Sequence, residues 1–320
     1  MISVWSATDL IPQPSCPACS APAPHRKSAV RIDGLGVKRC PQCALLFLDP
    51  VPTDEAIGEC YTAEYYSGDS WNRRRIGYTP EWDYHGERER ALINGTLLGH
   101  SALASLDLRG KSILEIGCSD GALLFSLKQL GPSRLVGLDV NQVALKYGRE
   151  HFGLDLRHDT LRTANFAPSE FDIVVMIDVL EHIKDVAAFF AEAARCLKPG
   201  GVMVIFTPNA SALMLTRRRW SYLNRCLEHV CYLSVESLRR LGSPHGIVIE
   251  RSWSEGYPAM EYPYRTYRIP RLARLLLQPH IALANRVNRL RFDHAEKRGA
   301  GVELRVIMRR AAMLPRVDSL

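Results

Sequence analysis

Residues 113–121 read I-L-E-I-G-C-S-D-G, and this stretch restricts the fold more than any other. Its apolar first half has the pattern of a parallel strand buried on both faces. Its second half is a glycine turn, and the A-L-L-F-S-L-K-Q-L that follows has helical spacing. A strand, a glycine turn and a helix in succession are the unit with which doubly wound α/β sheets cradle a nucleotide-like ligand. Glu115 narrows the choice of ligand. A carboxylate beside the turn repels a pyrophosphate and favours a ligand with a cationic end and no phosphate.

The same alternation continues downstream. Strands are expected at Ser112–Ile116, Arg134–Asp139, Leu154–Arg157, Phe171–Ile177, Val202–Phe206 and Ile247–Trp253, with a last strand at Gly301–Arg309. Asn141, Asp185 and Ser234 are the expected N-caps of three intervening helices, and Lys198-Pro199-Gly200-Gly201 is an expected turn. Residues 254–300 interrupt the pattern as a helical insert before the last strand.

Acidic residues recur at the carboxyl ends of these strands, where open α/β sheets bind ligands. Glu115 and the Gly117–Gly121 turn follow the first strand. Asp139 follows the second, 22 residues beyond Gly117, where a carboxylate accepts from both ribose hydroxyls. Asp159 follows the third and can accept from an adenine amino group; Asp178 follows the fourth. Each alone is an ordinary helix-terminal acid. Four in order, beside one glycine turn, define a cofactor site.

The N-terminal fifty residues differ in composition. Pro12, Pro14, Pro17, Pro22 and Pro24 disfavour a long helix. Cys16-Pro17-Ala18-Cys19 and Cys40-Pro41-Gln42-Cys43 are two C-P-x-C knuckles separated by twenty residues. Four thiolates on two tight turns make a tetrahedral zinc site, closed to water and therefore structural. Short strands around Asp33-Gly34 fit between the knuckles. A module this small draws much of its folding free energy from the metal.

These motifs together resemble those of class I S-adenosylmethionine (SAM)-dependent methyltransferases. E-I-G-C-S-D-G, L-V-G-L-D-V-N, F-D-I-V-V-M-I-D-V-L-E-H-I and L-K-P-G-G-V-M-V-I-F-T-P-N match the successive family motifs over residues 50–255 and the last strand. Ser119 stands where many members have glycine. The E-H after strand four is similar to ubiquinone-pathway O-methyltransferases. The four-Cys module and E-H-V-C-Y-L-S at 228–234 resemble sugar C-methyltransferases. The resemblance implies a Rossmann-like sheet of order 3-2-1-4-5-7-6 with its last strand antiparallel. It assigns the cofactor to Glu115, Gly117, Cys118, Gly121, Asp139, Val140, Asp159, Thr160 and Asp178. It also implies that Tyr65 and Tyr66 close over the methionine end. The domains it implies are a zinc-ribbon-like module over 1–50, a helical lid or linker over 51–100, and a SAM-binding domain over 101–320.

Removing a proton from a hydroxyl or ketone acceptor suits a histidine. His229 is the first candidate and His182 the second, with Glu228 beside His229; a polar structural histidine is the plain reading of each. The implied acceptor is a small molecule or a glycan-related compound, methylated at oxygen or carbon. An RNA methyltransferase would predict a basic zinc module with exposed aromatics, but residues 1–50 carry only Arg26, Lys27, Arg31, Lys38 and Arg39 as cations. A third reading is an inactive Rossmann and zinc-ribbon interaction protein; the intact acidic series weighs against it. The net charge of +7 reflects mainly the Arg-rich stretch at 262–298, with eight arginines among apolar residues. That stretch reads either as a solvated helix pair or as a contact for anionic lipid or a lipid-linked substrate. Nine cysteines, four of them in tight pairs, fit a reducing compartment. With no basic, apolar leader, a cytoplasmic location is expected.

Overall fold

The computed structural model describes residues 5–31, 33–60, 97–212, 228–255 and 303–312. Tyr65, Tyr66, most of the expected lid, and the Arg-rich stretch at 262–298 lie outside the described residues.

The N-terminal strands are short because prolines and knuckles punctuate them. They are β1 (Leu10–Ile11), β2 (Ala29–Val30), β3 (Gly36–Arg39), β4 (Leu46–Leu48) and β5 (Val51–Pro52), followed by helix α1 (Asp54–Cys60). Strands β2 and β3 form an antiparallel pair whose turn contains Gly34 at φ +88°. Strands β1 and β5 pair with each other, so the module continues past residue 50.

The main domain runs α2 (Leu97–Ala104), β6 (Ser112–Ile116), α3 (Ala122–Leu127), β7 (Arg134–Asp139), α4 (Gln142–Phe152), β8 (Asp155–His158) and β9 (Phe171–Ile177). It continues with α5 (Val186–Cys196), β10 (Leu197–Pro208), β11 (Cys231–Tyr232), α6 (Val235–Gly242), β12 (Ile247–Glu255) and β13 (Glu303–Arg310). Seven of these strands form one sheet, ordered β8-β7-β6-β9-β10-β13-β12. This is the expected order, and β13 runs antiparallel to both neighbours. Central strand β6 is buried at all five residues, as a strand covered by helices on both faces must be.

The expected caps are in place. Asn141 accepts the Val143 and Ala144 amides, Asp185 the Ala188 amide, and Ser234 the Ser237 amide. The structure departs from expectation at Lys198–Gly201. Strand β10 begins at Leu197, and the register against β9 shifts between Leu197 and Val202. The extra residues are absorbed as an irregularity inside one strand, with Gly200 at φ +78°, so the chain makes no separate turn there.

Sequence pattern gave no sign of β11. This two-residue strand pairs with β4, Cys231 opposite Phe47, and completes a four-stranded sheet ordered β11-β4-β3-β2. The sheet of the N-terminal module thus includes a strand from the main domain. The cores merge as well: Cys16, Ala18, Leu45 and Phe47 belong to one buried cluster with Leu180, Val186, Phe190 and Leu233.

Candidate active site

The glycine turn is built by close backbone approach. Gly117 has φ +74°, and its amide and that of Cys118 donate to the Leu138 carbonyl at 2.8 and 3.0 Å. A Cβ on Gly117 would lie 2.6 Å from Val179 Cγ2, so the segment after β9 packs directly on the turn. Gly121 starts α3 at φ +77°. Asp139 fixes the turn from the neighbouring strand, accepting from the Ser119 amide at 2.7 Å and the Asn141 amide at 2.8 Å.

Glu115 is buried behind this turn, and its Oε2 has no hydrogen-bond partner. Burial, with Asp120 and Asp139 nearby, pushes its carboxyl well above the usual carboxylate range. None of the ion pairs among the described residues involves it. Cys118 points inward, its Sγ 2.6 Å from where a Cβ on Gly137 would stand, so only its backbone faces the turn. Asp159 lies one residue beyond His158, the register partner of Asp139. Both Asp159 hydrogen bonds, from the Thr160 amide and the Thr163 hydroxyl, fall on Oδ1. Val140 is exposed between these acids.

A second cluster forms after β9. Asp178 adopts a left-handed φ of +52°, and its amide donates to the Phe206 carbonyl at 3.0 Å. Its side chain is exposed at the surface. Desolvation and the charge of Glu303 push its carboxyl up to about 7, against the opposing pull of Arg305. Glu181 is fully buried, accepts from the Thr207 hydroxyl at 3.0 Å, and is pushed well up by burial and by Asp178.

His182 and His229 meet edge to face with ring centroids 4.7 Å apart. The residues that sequence reasoning singled out 47 positions apart are thus brought together. His182 is partly exposed, and its ring hydrogen bonds the Glu228 carbonyl. Burial lowers its pKa to about 4. His229 is 4 % exposed, and burial, His182 and Arg31 hold it well below the usual histidine value. Both imidazoles are neutral at pH 7. Glu228 is buried and meets His182 through its main chain. Donor atoms of Glu181, His182 and His229 lie within 4.8 Å of one another and could hold a metal ion.

Residues 84–250, over half of the chain, match a family described as a methyltransferase domain. The chain belongs to this family. It is a SAM-dependent methyltransferase. A ubiquinone biosynthesis O-methyltransferase of Thiobacillus denitrificans is 28 % identical over 171 residues, 49 % of this chain and 73 % of that one. Its counterpart in Bradyrhizobium sp. is 41 % identical over 108 residues, 32 % of this chain and 42 % of that one. This methyltransferase therefore spans about three quarters of the first relative and less than half of the second. Among solved structures, a chain in the complex between the Haloferax volcanii Trm112 methyltransferase activator and a methyltransferase shares the fold. It has a TM-score of 0.53 and 16 % identity, covering 72 % of this chain and 96 % of that one.

The turn fits the methyltransferase cofactor. Glu115 carries an orphaned buried oxygen in a concentration of negative charge, which a cationic ligand relieves. The four cysteines of the methyltransferase also converge. Cys16 and Cys43 Sγ atoms are 3.5 Å apart, as are those of Cys19 and Cys40, and all four lie within 4.8 Å. A tetrahedral centre with metal–sulfur bonds of about 2.3 Å has sulfur–sulfur edges of about 3.8 Å. The Gln42 amide points at Cys40 Sγ at 3.4 Å, supporting a thiolate there.

Sequence reasoning missed Arg305, Thr207 and Arg31. Arg305 is 4 % exposed, pairs with Glu255 and Glu303, and lies over the Phe206 ring. A lone arginine inside the apolar run L-R-V-I-M was its signal, and V-R-I between two knuckles was that of Arg31.

Proposed function

We propose that this methyltransferase transfers a methyl group to an oxygen of a small-molecule acceptor, with His182 facing the acceptor and His229 as its buried partner. The observation that carries this is the edge-to-face pair of neutral imidazoles, of which His182 follows by three residues the Val179 that packs on the cofactor turn. SAM, when bound, supplies an activated methyl group on a sulfonium. Glu115 and the Gly117–Gly121 turn hold the methionine end, Asp139 the ribose, and Asp159 through Oδ2 the adenine amine. Thr160 and Val140 line the adenine side; Tyr65 and Tyr66, outside the described residues, are assigned to the methionine end by the family resemblance alone.

A neutral His182 is the form of the imidazole that can take the acceptor's proton at pH 7. The imidazolium formed keeps its other N–H on the Glu228 carbonyl. Approach geometry does the rest, since an in-line displacement depends on alignment. The name shared by the relatives supports oxygen as the acceptor atom. The E-H-V-C-Y-L-S segment and four-Cys module keep a glycan-related acceptor, methylated at oxygen or carbon, as the second reading.

We assign the four cysteines to a structural zinc ion. None of the seven cysteines whose side chains are described forms a disulfide, and we assign the protein to a reducing compartment such as the cytoplasm. No described helix is long and apolar enough to cross a membrane.

Calorimetric titration with SAM and with NADH tests the cofactor assignment: micromolar SAM binding without NADH binding is expected, and the reverse overturns it. Labelled SAM supplied with phenolic small molecules, sugar nucleotides and RNA then identifies the acceptor. Label found only in RNA would remove both readings above.

A further inference from the structure

The segment that carries His229 is held by the N-terminal module. Arg31 is fully buried and forks onto the Asp33 carboxylate, which also accepts the Trp5 indole N–H at 2.8 Å. Within the module this pair is complete. Yet Nη1 of Arg31 crosses 198 positions of sequence to donate to the His229 carbonyl at 2.6 Å, and the guanidinium also bonds the Tyr232 side chain.

The next residues are tied to the module in turn. The Leu48 amide donates to the Val230 carbonyl at 3.0 Å, Cys231 pairs with Phe47, and Tyr232 pairs with Leu46. The Ser234 hydroxyl donates to the carbonyl of Cys43, one of the four knuckle cysteines, at 3.4 Å. The main domain grips the other side through the Val230 amide on the Glu181 carbonyl and the Ala210 amide on the Leu233 carbonyl. A charged donor inside a low-dielectric core is directional, and its alternatives are expensive. The His229 carbonyl therefore has a fixed place relative to Asp33.

We propose that Arg31 is a positioning residue for the histidine pair: through the His229 carbonyl the four-cysteine module sets where the acceptor-side imidazoles stand. This rests on the reading that His182 and His229 face the acceptor. The module is then part of the active site. Loss of its metal and loss of Arg31 disturb the same segment by different routes.

The test uses the full-length protein and diethyl pyrocarbonate, which modifies accessible neutral imidazoles, with mass spectrometry assigning each histidine. The exposed His151 and His158 serve as internal references. Arg31→Met with Asp33→Asn removes the donor while filling its volume and leaving no unpaired carboxylate. His229 is expected to react at least fivefold faster there, with the references and SAM affinity within twofold of wild type. Arg31→Lys keeps a cationic donor of similar reach and is expected to retain protection within twofold, which a purely volume-filling role would not require. Should the Met/Asn protein fail to melt cooperatively, Arg31→Gln with Asp33→Asn replaces it. That neutral pair bonds internally but is too short to reach residue 229, so the same increase is expected. Unchanged protection of His229 in the neutral variants, or equal exposure in the Lys and neutral variants, overturns the proposal. Absence of SAM binding by the wild type would instead refute the functional reading, leaving the reactivity result standing by itself.

Discussion

Gly148 shows how a single atom sets the cofactor turn. It lies inside helix α4, where glycine costs about 1 kcal/mol relative to alanine. A Cβ there would stand 2.0 Å from the Asp120 carbonyl oxygen and 2.5 Å from Leu156 Cδ1. The helix sits so close to the turn that no side chain fits. Gly148→Ala is expected to destabilise the protein by about 1–3 kcal/mol and to weaken SAM binding at least tenfold; calorimetry and thermal melts read both. At the acceptor side, His182→Ala is expected to lower kcat by about 10²–10⁴ with SAM affinity within twofold of wild type. Normal turnover in that variant would assign His182 a structural part only. The turn glycines and strand-end acids were legible because their spacing is local. Gly148 was not, since its neighbour across the contact is 28 residues away.

Where strands β6, β9 and β10 begin, Asp172 joins them. Its Oδ2 accepts from the Ser112 amide at 2.9 Å, the Ser112 hydroxyl at 2.7 Å and Lys198 Nζ at 2.7 Å. Burial alone would raise this carboxyl, but the Lys198 ammonium and the Ser112 donors outweigh it and hold the group at about 2. A folded-state pKa below the unfolded value contributes stability above about pH 4, lost as pH falls through about 2. Lys198 is 40 % exposed, so water screens part of the gain, and about 1–2 kcal/mol remains. Asp172→Asn is therefore expected to lose about that much at pH 7 and progressively less relative to wild type as pH falls through about 2, as denaturant titrations across that range would show. Elements of this size were readable because caps and apolar runs act within a few residues. Asn141, Asp185 and Ser234 all cap the helices assigned to them. Strand β11 was invisible because two residues carry no periodicity.

Across the whole molecule the consequence is cooperativity. Because module and main domain share a core and a sheet, one thermal transition is expected. Purified protein is expected to hold near-stoichiometric zinc, and a chelator under reducing conditions should lower that single transition. Two separated transitions, with only the smaller one responding to chelator, would show that the module folds by itself. Cys40→Ser is expected to lose the metal and lower the same transition.

The sequence by itself determined the strands, the glycine turn, the helix caps and the four-cysteine set, which follow from periodicities and spacings acting over a few residues, while the sheet order was implied by the family resemblance. Only the tertiary structure decided that His182 meets His229, that Arg31 reaches the His229 carbonyl, and that β4 and β11 join two regions into one core. Those contacts link residues far apart in the chain, and their energy comes from burial that exists only once the strands have assembled.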